Sequence, residues 1–66
     1  MSVEYKVQKA GLFGDNWTTV FTGQETKARE ILLRQLRLYS VGRFRLVDPN
    51  GRVVDERKTQ HRFSLN

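Results

Sequence analysis

Residues 48–51, with the sequence Asp-Pro-Asn-Gly, are the strongest structural signal in this chain. Asp in the first position, Pro in the second and Gly in the fourth are the residue preferences of a type I β-turn. On either side of the turn lie short segments rich in apolar and charged residues, typical of strands. The sequence therefore predicts a β-hairpin with strands over about 43–48 and 52–57, and it places Phe44 and Leu46 on one face of the sheet.

A second hairpin is predicted near the amino terminus. Residues 3–9 alternate apolar and polar side chains, which favours a strand, and residues 17–22 are rich in aromatic and β-branched types. Between them lie two glycines and an Asp-Asn pair, which allow the chain to reverse. Trp17, at the mouth of this hairpin, is predicted to close the core under a helix; stacking on a ligand is the alternative.

One helix is predicted over about 23–40, between the two hairpins. Thr22 and Glu25 have the spacing of a capping box, and Gly42 is placed where a left-handed residue would end the helix. Residues 58–66 are predicted to be a loose tail or a short edge strand. The chain is thus expected to be one α+β domain, 1–66: a small two-layer ββαββ fold, an antiparallel sheet with one helix packed across one face.

Composition excludes several classes of function. The 66 residues contain no cysteine and a single histidine, so we expect neither a metal nor a cofactor. No nucleophile, base and orienting group occur together, so the chain is predicted not to be an enzyme, and no small-molecule substrate is expected. It lacks a signal peptide and a membrane-spanning run, which predicts a cytoplasmic protein that does not bind membranes.

The positive charge is concentrated in the second half of the chain. Twelve Lys and Arg against seven Asp and Glu give a net charge of +5, and residues 34–66 account for all of it. Arginine outnumbers lysine, which suits bidentate contact with phosphate or carboxylate. An Arg-rich hairpin that binds nucleic-acid phosphates is therefore predicted, with an acidic protein surface and a merely solvated face as alternatives. The candidate residues are Arg43, Arg45, Arg52, Arg57, Lys58 and Arg62.

Apolar residues in polar surroundings suggest the competing hypothesis of a protein-interaction module. Leu12 and Phe13 either close the end of the core or anchor a partner, and Leu33 fits neither face of the helix cleanly. Phe63 lies in the polar tail, which could pair with the sheet edge of a second copy to form a homodimer.

The pattern Trp17-x-x-Val20-Phe21-x-Gly23, followed by an Arg/Leu-rich helix and by residues 45–53, resembles small single-domain proteins of bacteriophage and prophage genomes. Such proteins are often accessory factors that bind and redirect a host protein or a nucleic acid. The resemblance implies an interaction role in the cytoplasm of a bacterial or phage-infected cell, as an accessory factor on nucleic acid or as an inhibitor or adaptor of a host protein.

Overall fold

The computed structural model describes residues 4–39 and 41–60. The order of elements is ββαββ, and all strand pairs in the sheet are antiparallel, which confirms the predicted α+β fold. The elements are β1 (Tyr5–Ala10), β2 (Thr18–Gly23), α1 (Glu25–Leu38), β3 (Val41–Val47) and β4 (Val53–Gln60).

The strands lie in the order β2-β1-β3-β4, so β1 and β3 form the centre of the sheet. Val7 of β1 lies opposite Leu46 of β3 and opposite Phe21 of β2. Both outer pairs contain an irregularity in their register, at Val7/Gln8 in β1 with β2 and at Leu46/Val47 in β3 with β4. Such bulges strengthen the local twist near the edges of the sheet.

The core lies between α1 and one face of the sheet, chiefly over β1 and β3. Ala28 and Leu32 of the helix meet Phe44 and Leu46 of β3. The prediction that these two strand residues share one face is confirmed, and it is the face that the helix covers. Because side chains alternate between the two faces of a strand, the residue of β3 between these two must point away from the helix. The fully packed residues are Val7, Ala28, Leu32, Phe44 and Leu46, with Tyr5, Phe21, Ile31 and Leu36 partly buried against them.

The helix is shorter than predicted, and both predicted boundary signals are wrong. Its N-cap is Gln24, whose side chain makes no capping hydrogen bond, while Thr22 pairs with Lys6 inside the sheet. Tyr39 ends the helix in an extended conformation, and Gly42 belongs to β3. Both residues predicted to bound the helix are therefore strand residues, because Thr22 pairs with β1 and Gly42 pairs with Thr59 of β4.

The turn between β3 and β4 forms where it was predicted. The N–H of Gly51 donates to the carbonyl oxygen of Asp48 at 3.0 Å, and Gly51 has a φ of 85°, which a residue with a Cβ rarely adopts. A carboxylate oxygen of Asp48 accepts from the N–H groups of Asn50 and Arg52. After the turn β4 continues to Gln60, so 58–60 are strand, and residues 61–66 lie outside the described residues.

Candidate functional site

The face of the sheet opposite the helix, here called the open face, carries most of the charge of the strands. Because Phe44 and Leu46 point into the core, Arg43 and Arg45 point to the open face. No element among residues 4–39 and 41–60 covers this face. The polar and charged side chains that the strand register assigns to it are Lys6, Gln8, Thr19, Thr22, Arg43, Arg45, Glu56 and Lys58.

A row of polar side chains crosses the open face from edge to edge. Gln8 on β1 lies opposite Thr19 on β2 and opposite Arg45 on β3. Its amide Nε2 donates to Thr19 Oγ1 at 3.0 Å, and its Oε1 accepts from Arg45 Nε at 2.8 Å. Glu56 on β4 completes the row opposite Arg45. The guanidinium of Arg45 is therefore held in one orientation by its neighbour in the sheet.

Trp17 also lies on the open face, so the prediction that it closes the core under the helix is wrong. The guanidinium carbon of Arg45 is 4.2 Å from the centroid of the indole ring, and that of Arg43 is 5.0 Å away. These distances are within the range of cation–π attraction. Two arginines on alternate positions of β3 thus hold a half-buried indole against the sheet. The alternative role, stacking on a ligand, would have to share the ring with them.

Arg43 is tied to the loop between β1 and β2. Its Nε donates to the carbonyl oxygen of Gly11 at 2.9 Å, and its Nη2 donates to the carbonyl oxygen of Gly14. The carboxylate of Asp15 lies 3.9 Å away, but that side chain is 94% exposed, whereas the side chain of Arg43 is only 20% exposed. Arg43 therefore organises the loop, and Arg45 is better placed than Arg43 to meet a ligand.

The other predicted cations do not share one surface. Lys58 is exposed and lies opposite Arg43, on the open face. Arg57 lies opposite Phe44, on the helix side of β4, where its Nε is 3.3 Å from Asp55 Oδ1. Arg52 is exposed in the turn, and Arg62 lies outside the described residues. The predicted hairpin surface is thus divided between two faces of the sheet and the turn.

Lys6 is a cation of the open face that the sequence analysis did not select. It lies on β1 opposite Val47 of β3, and its side chain is exposed. With it, the open face has four cationic side chains and one carboxylate, a net charge of +3. The signal in the sequence was the alternation of β1, which puts Lys6 and Gln8 on the face opposite Val7. Only the pairing of β1 with β3 shows that this is also the face of Arg45.

The predicted partner-contact residues are dispersed. Phe13 is 92% exposed at the tip of the β1–β2 loop, so the expectation that it closes the end of the core is wrong, whereas Leu12 is half-buried. Leu33 is 51% exposed on the helix, beside Arg57. Phe63 lies outside the described residues. Phe13 and Leu33 therefore do not form a common contact surface.

A cleft of about 310 Å³ lies at the end of the sheet where α1 ends. The rings of Tyr39 and Phe44 form its apolar part, 6.0 Å apart between centroids. The Nζ of Lys9 is 4.3 Å from the centroid of the Tyr39 ring, so the two side chains form a cation–π contact in the lining of the cleft. The cleft is on the helix side and is separate from the open face.

The fold and this face together define a two-layer α+β protein with a cationic open sheet. Comparison of the chain with protein-family models, with curated proteins and with solved structures found no match. The helix in the described part of the chain is too short and too polar to cross a membrane. Among residues 4–39 and 41–60, no group of three or more acidic, His or Cys side chains could hold a metal ion.

Proposed function

We propose that this protein binds nucleic acid without catalysis, as an accessory factor, and that the phosphate backbone lies across the open face. The observation that carries the proposal is the gathering of Lys6, Arg45 and Lys58, from three different strands, on a face that the helix leaves uncovered. Neutralising phosphates with Lys and Arg supplies most of the affinity of non-specific nucleic-acid binding.

The geometry of Arg45 supports this role. Its Nε is bonded to Gln8 and its guanidinium is stacked on Trp17, so the side chain is already ordered before a ligand arrives. An ordered guanidinium loses less conformational entropy on binding and can offer its remaining N–H groups to a phosphate as a fork. Lys6 and Lys58, both exposed, supply flexible point charges on either side of it.

The test compares two double variants that remove the same charge from opposite sides of the molecule. Lys6→Ala/Lys58→Ala strips the open face, and Arg34→Ala/Arg37→Ala removes two exposed cations of the helix. Binding of labelled single-stranded DNA, duplex DNA and RNA is measured by fluorescence anisotropy from about 50 mM salt upwards. Trp17, the single tryptophan, gives a second reading from within the site.

We expect the open-face variant to bind about tenfold more weakly and the helix variant to bind like the wild type. The slope of log K against log salt should fall by about 2 on duplex DNA for the open-face variant, because each phosphate contact contributes about 0.9. Equal losses in both variants would mean non-specific attraction by net charge. No binding by the wild type at low salt would end the proposal and favour a merely solvated face.

A second candidate function, a protein-interaction module of the phage inhibitor or adaptor type, rests on Phe13. This aromatic ring is 92% exposed on a loop whose backbone carbonyls are held by Arg43, so it is presented in a fixed position. Aromatic residues held in this way are typical anchors of protein interfaces. An acidic host protein would also match the positive charge of the chain.

Nuclease-treated bacterial lysate separates the two candidates. For the interaction module, immobilised wild type should retain a protein after nuclease treatment, Phe13→Ala should lose it, and Val53→Ala, which truncates an exposed valine on β4, should keep it. If everything retained by the wild type disappears with nuclease, or if Phe13→Ala retains the same protein, the Phe13 hypothesis fails.

A further inference from the structure

The outer edge of β4 carries acidic and basic side chains in an order that allows the strand to pair with a second copy of itself. β4 pairs on one side with β3, and among the described residues no strand lies on its other side. An edge of this kind exposes backbone N–H and C=O groups that can pair with another chain. The middle of the strand reads Asp55, Glu56, Arg57 and Lys58, two acids followed by two bases. We propose that β4 pairs antiparallel with β4 of a second copy, around a twofold axis at Glu56.

Symmetry restricts which residues meet. A twofold axis perpendicular to the sheet keeps the two helices on the same side, so residues of the helix side oppose residues of the helix side. Centring the pair on Glu56 places Asp55 opposite Arg57 of the second copy, and it does so twice. In the single chain Asp55 and Arg57 already contact each other along the strand at 3.3 Å. The dimer joins the two pairs into a group of four alternating charges, which stabilises the register.

The open side of the pair contains one like-charged contact, which neighbouring cations compensate. Glu56 then lies opposite its own copy, which is unfavourable, but each Glu56 has Arg45 opposite it on β3 and Lys58 two positions along its strand. Centring on Arg57 instead would pair Glu56 with Lys58 of the second copy twice, but it would also oppose two arginines. Asp55 compensates Arg57 along the strand as Lys58 compensates Glu56, but the neighbour of Arg57 on β3 is the uncharged Phe44. Arg45 is the additional opposite charge beside the like-charged pair, and it favours the axis at Glu56.

Strand pairing alone makes a small interface. β4 has eight residues, and a contact of one strand with another is well below the ~1,200 Å² of a standard stable interface. The dimer is therefore weak and salt-sensitive, and the charges of β4 would repel strands that lack the matching order. Both open faces would lie on the same side of an eight-stranded sheet, and the cations of the two copies would be continuous. Only the use of this joined surface to bind nucleic acid rests on the proposed function.

Charge reversal on β4 gives a sharp test. In Asp55→Arg both positions of the quartet become basic, and in Arg57→Asp both become acidic, so each variant alone should dimerise about tenfold more weakly than the wild type. A mixture of the two restores opposite charges at every contact and should form a heterodimer. The double variant Asp55→Arg/Arg57→Asp should recover the wild-type homodimer. Sedimentation equilibrium on nucleic-acid-free protein, at concentrations up to about 1 mM, measures all four.

Lys27→Asp and Glu30→Arg, which reverse an exposed ion pair on the helix, are the matched controls and should leave self-association unchanged. Circular dichroism of every variant establishes that it is folded. A wild type that stays monomeric throughout, or a mixture that associates no better than its components, overturns the proposal. Because nucleic acid is absent, this result is independent of the binding test for the open face.

Discussion

The two hairpins of the sheet are closed in different ways. In the β3–β4 hairpin the turn is held by its own atoms, since the carboxylate of Asp48 accepts from two backbone N–H groups and Gly51 bonds back to the Asp48 carbonyl. In the β1–β2 hairpin the loop of residues 11–17 has one backbone hydrogen bond of its own, from the Trp17 N–H to the Asp15 carbonyl oxygen. Its longer-range hydrogen bonds come from Arg43 on β3, and they reach 29 and 32 positions back along the chain.

This difference separates what is encoded locally from what depends on the assembled sheet. The β3–β4 turn can form as soon as its own residues are present, because a few neighbouring groups satisfy one another. We expect the β1–β2 loop to be ordered only when β3 is paired with β1, because the bonds from Arg43 to its carbonyl oxygens depend on that pairing. The position of Phe13 at the tip of that loop therefore depends on a residue of the open face.

The largest expected effect is that of Arg43→Met, which keeps the length of the side chain and removes both hydrogen bonds to the loop. We expect the free energy of unfolding to fall by about 2 kcal/mol, because the substitution removes two charge-assisted hydrogen bonds of a side chain that is only 20% exposed, together with its cation–π contact with Trp17. Asp48→Ala should cost about 1 kcal/mol, since the freed N–H groups of its exposed turn can bond to water. Urea unfolding measures both.

Amide hydrogen exchange shows which segment each substitution destabilises. Arg43→Met should raise the exchange of amides in residues 11–17, far from the substitution in sequence, whereas Asp48→Ala should raise exchange only in the turn. Arg43→Lys should recover less than half of the lost stability, because an ammonium cannot reproduce the fork that reaches both carbonyls. If Asp48→Ala destabilised the protein more than Arg43→Met, the turn rather than the remote clamp would be the stronger support.

The same distinction explains which features could be predicted from the sequence. Short-range patterns predict the order of the elements along the chain, the β3–β4 turn and the shared face of Phe44 and Leu46. All three are confirmed. Thr22 and Gly42 also matched local signals for the ends of the helix, but pairing within the sheet took precedence over capping and both became strand residues. Local propensity decides only where no long-range pairing competes with it.

The errors at the candidate site have one cause, the remote contacts of Arg43 and Arg45. Trp17 looked like a core residue because it is large and apolar, yet two arginines on β3 hold it on the open face. Phe13 looked like the end of the core, yet the loop that carries it is held outward. No pattern within one segment of the sequence reports a contact with a segment about 30 residues away, so these placements required the structure.

The next expected effect concerns two glycines with similar positive φ angles. Gly14 has a φ of 92° and Gly51 a φ of 85°, and a Cβ at either would meet no atom within 4 Å. Gly14→Ala and Gly51→Ala should therefore each cost about 1–2 kcal/mol through the backbone alone. In an Arg43→Met background, however, the cost of Gly14→Ala should fall below about 0.5 kcal/mol, because the released loop can adopt another conformation.

Gly51→Ala is the internal control for this cycle, because its turn has no contact with Arg43 and its cost should be the same in both backgrounds. Urea unfolding of the wild type, the three single variants and the two double variants gives the coupling energies directly. A Gly14→Ala cost that is independent of Arg43 would mean that the loop is rigid by itself, and the contrast between the hairpins would disappear.

The smallest expected effect distinguishes the two aspartates of the two connections. Asp15 lies 3.9 Å from Arg43 but is 94% exposed, so its ion pair is screened by water and contributes little. Asp15→Ala should change the free energy of unfolding by no more than about 0.5 kcal/mol, well below the loss expected for Asp48→Ala. Urea unfolding at low and high salt measures the difference.

This comparison isolates how Arg43 holds the loop. If its two bonds to the carbonyl oxygens of Gly11 and Gly14 are responsible, removing the nearby carboxylate leaves the clamp intact, and salt has little effect on stability in either protein. If Asp15→Ala instead costs as much as Asp48→Ala, and the loss disappears at high salt, then the loop is held by an ion pair. Both connections would then depend on an aspartate, and what would distinguish them is whether its carboxylate binds backbone N–H groups or a distant guanidinium.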